Sequence, residues 1–330
     1  MSKLAIVIPA YKSMYFGQAL LSIANQTNKD FTLYIGDDCS PDNLYNIVQK
    51  YENRIPIIYK HFDENFGGQN LVAQWERCID MIEDEEWIWL FSDDDILDPT
   101  CVRHFYRTLD SYPDFDLFHF NVLQINENDD LVGNSFSYPK VLTCEEFLIR
   151  RLQGRINSFV VEYIFRKSHF IDKGRFQQFD LAWGSDDATW IKLGKRKGII
   201  TIESSIVYWR QSQLNISCNN HDNNILKRRF YAQIEFAGWI CNLAKENGIY
   251  FEITILKKRL KVWFFRNVKD RIKFVSFGLI ASLSFKLYLI LHEQKSPRQK
   301  ILLLYIYKIY RFLIEIIKNM LFWNDFSYKS

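Results

Sequence analysis

Three consecutive aspartates, Asp93, Asp94 and Asp95, follow the apolar aromatic run Trp87 to Phe91 (WIWLF). Adjacent carboxylates repel one another, so a triplet of this kind is favoured where a cation shields it. Hard divalent ions such as Mg²⁺ and Mn²⁺ take oxygen ligands of this type. The alternative is an Asx turn ahead of a helix. Two acidic pairs accompany the triplet. Asp37 and Asp38 close the apolar run Phe31 to Gly36, and Asp186 and Asp187 lie in GSDDATW, where a helix begins. A turn and a helix cap are the alternatives for these pairs. In NFGGQN, Gly67 and Gly68 let backbone approach a ligand closely, while Asn65 and Asn70 offer amide hydrogen bonds. A plain turn is the other reading of that loop.

Such side chains act together only if the fold brings them to one place. Leu4 to Pro9 (LAIVIP) is a short continuous apolar run, which suits a strand covered on both faces of a largely parallel sheet. A helix is predicted from Phe16 to Asn25, a strand from Phe31 to Gly36, a helix from Leu44 to Tyr51 and a strand from Ile55 to Tyr59. The glycine loop then precedes a helix from Leu71 to Ile82 and the strand WIWLF. In open α/β sheets ligands bind outside the C-terminal ends of the strands. The Asp37/Asp38 pair, the glycine loop and the Asp93 to Asp95 triplet are therefore expected to share one crevice. Further on, Asp98-Pro99 opens a helix to Ser111, Phe115 to Ile125 is a strand, and Glu127 to Pro139 is a polar loop or hairpin. Thr143 and Glu146 form a capping box for a helix to Leu152. Phe159 to Phe165 and Ile199 to Trp209 are strands, and Trp183 to Trp190 opens a helix between them.

Strand, aspartate triplet, ILDP and helix, in that order, resemble the DxD region of family-two inverting glycosyltransferases with the GT-A fold. Other landmarks agree in order and spacing: IVIPAYK (Ile6 to Lys12), SIANQT (Ser22 to Thr27), GDDCSPD (Gly36 to Asp42) and NFGGQN. The resemblance covers residues 3 to 218. It implies a GT-A, Rossmann-like α/β mixed sheet flanked by helices, in a domain of residues 1–220, with a mainly helical extension over 221–330. It also implies transfer of a hexosyl or N-acetylhexosaminyl group from a nucleotide-sugar donor, a UDP-sugar, to a lipid-linked oligosaccharide, in O-antigen or capsule synthesis. By the same resemblance Pro9, Ala10 and Tyr11 pack on the base, and Asp38 accepts its N3–H. Asn65, Gly67 and Asn70 line the donor site. Asp94 ligates Mn²⁺ or Mg²⁺, Asp93 lies by the ribose or the metal, and Asp95 supports the sugar or the loop. Such a cation would neutralise the departing diphosphate.

An inverting transfer also needs a carboxylate to remove the acceptor's proton. By resemblance Asp187 takes that place, and Asp186 positions the acceptor or shares the proton. Trp183 and Trp190 are candidates for stacking on a sugar ring or for the core. One departure stands out. Where relatives carry a metal-binding His two residues after an Arg, this chain has Ser212 after Arg210. His221 is the candidate to replace it. The rival reading is a catalytically silent sugar-nucleotide or glycan-binding module with a membrane-associating tail.

The 330-residue chain is 48% hydrophobic and 25% charged, within the range of ordinary globular proteins. Its formal charge of +3 conceals an asymmetry. Residues 256–330 hold 16 Lys/Arg and 4 Asp/Glu, a net of +12, which leaves −9 for the part that carries the motifs. An acidic surface around the motifs argues against nucleic acid as a partner. The six cysteines show no metal-site or paired spacing and read as reduced thiols. No secretory leader pattern precedes the first strand. A cytoplasmic enzyme, peripheral on the inner face of the cell membrane, is expected. Leu256 to Lys273 reads as an amphipathic helix with Leu260, Phe264, Val268 and Ile272 on one side, and Ile301 to Phe322 as another. The basic tail then lies on anionic lipid, with a homodimer contact or simple packing as alternatives. Phe274 to Leu291 contains Lys286 and is read as interfacial rather than spanning.

Overall fold

The computed structural model describes residues 3–133, 135–136, 138–213, 215, 222–246, 253–269 and 277–291. By contact density the chain divides into two units, 1–219 with 248–250, and 220–247 with 251–330.

An apolar strand without polar alternation is stable only with both faces covered, and Leu4–Ala10 forms such a strand, β1, in the middle of the first unit's sheet. The chain continues with α1 (Phe16–Ala24), β2 (Thr32–Asp37), the single turn α2 (Tyr45–Val48), β3 (Ile57–His61), α3 (Leu71–Ile79) and β4 (Trp87–Leu90). Then come β5 (Ile96–Leu97), α4 (Cys101–Ser111), β6 (Leu117–Ile125), β7 (Leu131–Val132), β8 (Val141–Leu142) and α5 (Cys144–Gln153). The unit ends with β9 (Tyr163–Arg166), α6 (Lys167–Asp172), α7 (Ser185–Gly194) and β10 (Ile199–Arg210).

The sheet order is β3-β2-β1-β4-β9-β6-β10-β5, with β7 on β6 and β8 on β10. Strands β3, β2, β1 and β4 run parallel. β9 is antiparallel to both β4 and β6, and β10 is parallel to β6. The C-terminal ends of β1, β2, β4, β6 and β10 therefore share one edge of the sheet with the start of β9. Trp87, Trp89, Phe105, Phe118 and Phe120 fill the core on one face. Trp89 stacks on Phe120 at 4.9 Å and donates its indole N–H to the Val161 carbonyl at 2.7 Å.

Several boundaries differ from the expected ones for local reasons. Asp98 caps a turn through the Thr100 N–H, so α4 starts at Cys101 rather than at the proline. Leu44 to Tyr51 yields one α-turn only. Phe159 to Phe165 begins as a 3₁₀ turn, Val160–Glu162, and becomes extended only from Tyr163. The Thr143 cap forms as expected, its hydroxyl accepting the Glu146 N–H at 3.1 Å.

The second unit contains α8 (Asn223–Lys245), α9 (Ile253–Lys269) and α10 (Phe277–Leu291), which pack on one another. Leu256, Leu260 and Phe264 of α9, and Leu283, Leu287 and Leu291 of α10, are buried at helical spacing, as are Leu226, Phe230 and Ile240 of α8. Lys258 and Val262 remain exposed. Ile272 and the predicted helix from Ile301 to Phe322 lie outside the described residues. No helix among the described residues is long and apolar enough to cross a membrane.

Candidate active site

The end of β4 delivers the aspartate triplet to the edge where β1 ends, and the turn after β1 fastens onto it. The backbone N–H groups of Tyr11 and Lys12 donate to Asp93 Oδ2 at 2.8 and 2.7 Å. The Lys12 ammonium lies 3.3 Å from Asp93 Oδ1 and hydrogen-bonds Asp94 Oδ2. Asp94 Oδ1 accepts the Ser92 hydroxyl at 2.6 Å, and Asp95 Oδ1 accepts the Arg210 N–H at 2.6 Å. All three aspartates are buried. Burial, together with the charge of Asp94, pushes the Asp93 and Asp95 carboxyls up. Burial alone would lower the Lys12 ammonium, but the charges of Asp93 and Asp94 outweigh it and the group is held up.

Arg210 completes this floor. A bulge between Ile202 and Ile206 shifts the register of β10 before its final stretch, Ile206 to Arg210. The fully buried guanidinium then reaches the Asp94 carbonyl at 2.8 Å, the Asn126 carbonyl at 3.0 Å, Gln18 at 2.8 Å and Asp129 at 2.6 Å. Its Cζ lies over the Tyr15 ring, 4.3 Å from the centroid.

At the end of β2, Asp38 gathers the glycine loop. Its carboxylate accepts the Phe66 and Gly67 N–H groups at 2.7 Å each and pairs with Arg77, whose guanidinium lies over Phe62 and Phe66. Three of a carboxylate's roughly four acceptor sites are thereby used. A Cβ on Gly67 would stand 2.6 Å from Asp38 Oδ2, which explains the glycine. Asn65 spends its amide inside the loop, on Gly68 N–H and the Asp38 carbonyl. Asn70 caps α3 through the Ala73 N–H. Ala10 is buried and Pro9 half-buried, whereas Tyr11 is 43% exposed and presents its ring. Beside this edge a cleft of about 600 Å³ is lined by Asp37, Asp42, Tyr45, Glu52, Tyr59 and His61.

The second acidic pair opens α7. Gly184, the residue before the helix, has φ +86°, a left-handed conformation that glycine adopts without strain. Asp186 and Asp187 thus enter the first turn, where the helix dipole favours anions. Arg151, at the end of α5, grips Asp187: its Nε lies 3.0 Å from both carboxylate oxygens and its Nη2 2.7 Å from Oδ2. Asp186 accepts the Asp187 N–H at 2.8 Å, and burial followed by the Asp187 charge pushes its carboxyl up to about 7. The pair neighbours Glu162, just before β9, whose fully buried carboxyl is pushed well up by burial. That places it toward the same sheet edge as the triplet. Trp190 is fully buried and stacks on Tyr163 at 4.4 Å, so of its two expected roles it takes the core one.

The fold thus gathers Tyr11, Asp38, Gly67 and Asp93 to Asp95 along adjacent strand ends, and sets Asp186 and Asp187 on α7. His221 lies outside the described residues. Lys12, Arg77 and Arg151 went unremarked in the sequence as site residues. Isolated cations carry no local signature, since each pairs with an acid 36 to 82 positions away.

A divalent cation does not fit the donor set as arranged. The Asp93 and Asp94 oxygens are taken up by Lys12, two backbone N–H groups and Ser92. Ser212 Oγ is turned to Asn215 at 3.0 Å. Among the described residues no group of three or more His, Cys, Asp or Glu side chains is arranged to hold a metal.

Comparison with known proteins shows what this chain is similar to. The model for glycosyl transferase family 2 matches residues 5–166. The GalNAc(5)-diNAcBac-PP-undecaprenol beta-1,3-glucosyltransferase of Campylobacter jejuni is 21% identical over 225 residues, 67% of this chain and 70% of its own. The poly(ribitol-phosphate) beta-N-acetylglucosaminyltransferase TarS of Staphylococcus aureus is 34% identical over 71 residues, which span 21% of this chain and 12% of that one. The crystal structure of S. aureus TarS 1–349 in complex with UDP-GlcNAc superposes with a TM-score of 0.66 at 16% identity, covering 88% of this chain and 82% of that one. Its complex with UDP gives 0.64 at 17% identity, with 96% and 91% covered. The fold is that of the GT-A enzymes.

Proposed function

We propose that this chain, a glycosyltransferase whose residues 5–166 are a glycosyl transferase family 2 domain, moves one sugar from a UDP-sugar to a lipid-linked oligosaccharide with inversion. The observation that carries the reading is that two acidic centres, Asp93 to Asp95 and Asp186/Asp187, lie toward one edge of the sheet; this supports assigning the diphosphate to the first and the acceptor proton to the second. UDP-GlcNAc is the ligand of the TarS 1–349 structure, and the C. jejuni relative is named for a PP-undecaprenol glycan. Both support the substrate classes proposed here. Surface-polysaccharide assembly, of the O-antigen or capsule kind, is the setting that fits them.

The base of the nucleotide stacks on the Tyr11 ring, and its N3–H donates to the acceptor site left on Asp38. Phe66 and Gly67 are held in place by that same carboxylate. The diphosphate lies over Asp93 to Asp95 and the turn at Lys12. On the other side of the donor sugar, the acceptor hydroxyl meets the Asp186/Asp187 pair. Asp187 takes its proton while the freed oxygen bonds to the anomeric carbon. The bond from that carbon to the phosphate oxygen breaks on the opposite face, and its electron pair leaves with the nucleoside diphosphate. Arg151 fixes the orientation of the Asp187 carboxylate through contacts to both of its oxygens. Enzymes of this fold and family commonly use a divalent metal, but the arrangement of Lys12, Asp93 and Asp94 supports a different source of positive charge.

The test is a screen of sugar nucleotides for consumption and nucleoside diphosphate release, run with lipid-linked acceptors from bacterial membranes. A UDP-sugar is expected to be consumed with acceptor and spared without it. Consumption of no nucleotide sugar, with binding intact, would favour a silent binding module.

A further inference from the structure

We infer that the Lys12 side chain is the site's own cation: it holds Asp93 and Asp94 together and donates to the donor's diphosphate in the place where relatives of this fold use a divalent metal. The inference rests on the nucleotide-donor reading above and extends it.

An ammonium has three N–H donors. Two of them face Asp94 Oδ2 and Asp93 Oδ1. The third is left for a ligand, and the side chain is 24% exposed at the rim of the site, so a phosphate oxygen can reach it. The backbone of the same turn is committed as well, with the Tyr11 and Lys12 N–H groups on Asp93 Oδ2. Lys12 is thus held at both ends against the two acids that would otherwise ligate a metal. Entry of a divalent ion would require the ammonium to leave, because two cations a few ångströms apart at a poorly solvated site repel strongly.

The rest of the donor set points the same way. Ser212 stands where a third, imidazole ligand would be sought, and its hydroxyl is engaged with Asn215. Asp95 gives its Oδ1 to the Arg210 backbone N–H. What remains is a buried carboxylate pair with a lysine between them, which is a complete ion cluster without a metal. A monovalent point charge binds phosphate without fixing its geometry. Orientation of the diphosphate then falls to the backbone of the turn at Tyr11 and to the Phe66–Gly67 loop.

The experiment is calorimetric titration of the full chain with UDP, in EDTA and then in Mn²⁺, for the wild type, Lys12→Met and Lys12→Arg. The wild type is expected to bind UDP in EDTA, with a Kd that Mn²⁺ changes by less than about threefold. Lys12→Met should weaken binding in EDTA by about tenfold or more, the scale of one charge-assisted hydrogen bond, and Mn²⁺ should recover most of the loss by occupying the freed carboxylates. Lys12→Arg should stay within about threefold of the wild type. Loss of wild-type UDP binding in EDTA with recovery in Mn²⁺ would overturn the inference, and so would tight binding by Lys12→Met in EDTA. If Lys12→Met fails to fold, the wild-type comparison decides alone. No UDP binding by the wild type in either buffer would overturn the donor reading, and this inference with it.

Discussion

Arg151 and Asp186 set the chemistry of Asp187 from two directions. The guanidinium fixes the orientation of the Asp187 carboxylate through both of its oxygens, whereas the neighbouring Asp186 carboxyl, pushed up to about 7 by burial and by the Asp187 charge, retains its proton close to neutrality. Protonation of Asp186 removes negative charge where the acceptor proton must go, so kcat/KM is expected to rise with pH through about 7. Asp187→Asn should leave UDP binding nearly intact and cut transfer by about a hundredfold or more, the scale of a lost general base. Asp186→Asn should cost less. It also removes the like charge beside Asp187, so the acidic limb of the profile should move to lower pH. An unmoved limb in Asp186→Asn would exclude this carboxyl as its source. Asp186 and Asp187 were legible in the sequence because two acids after a glycine at a helix start form a local pattern. Arg151 was not, since its pairing with Asp187 spans 36 residues and exists only once α5 and α7 have packed.

Gly184 shows how an element places a residue. Its φ of +86° turns the chain into α7 just before the acidic pair, after Leu181 and Ala182, which are also left-handed. Gly184→Val would force a β-branched side chain into that region at a cost of about 1 to 2 kcal/mol. A lower Tm and a fall in kcat with UDP affinity preserved are expected. A variant that melts early and keeps full kcat would show that the turn matters for stability alone. At this scale the sequence was readable where an element is apolar and uninterrupted, as in β1 and β4. It was poorly readable where tertiary pairing makes the element. β5 has two residues and exists because Ile96 and Leu97 pair with Tyr208 and Val207. The Arg210 floor depends on a bulge in β10 that no turn-forming glycine or proline announces.

Across the whole molecule, charge and apolar surface divide unequally. The part before Leu256 carries −9 and the part after it +12, which the sequence alone discloses. What the sequence does not disclose is that the apolar stripe of α9 is covered: Leu256, Leu260 and Phe264 are buried, and Lys258 faces outward. Periodicity reports an apolar face and is silent on whether a helix or a lipid covers it. Membrane attachment through these helices would therefore be chiefly electrostatic, on the order of 1 kcal/mol per basic residue near the surface. The chain is expected to sediment with anionic vesicles at low salt and to be released at high salt. Equal binding to neutral vesicles would contradict the electrostatic basis. The proposal that this chain is a sugar transferase working through two acidic centres is tested most directly by one paired measurement on Asp187→Asn: UDP affinity by calorimetry and sugar transfer from the donor found by screening. The account predicts wild-type affinity with transfer reduced by about a hundredfold or more. Undiminished transfer by Asp187→Asn would contradict it.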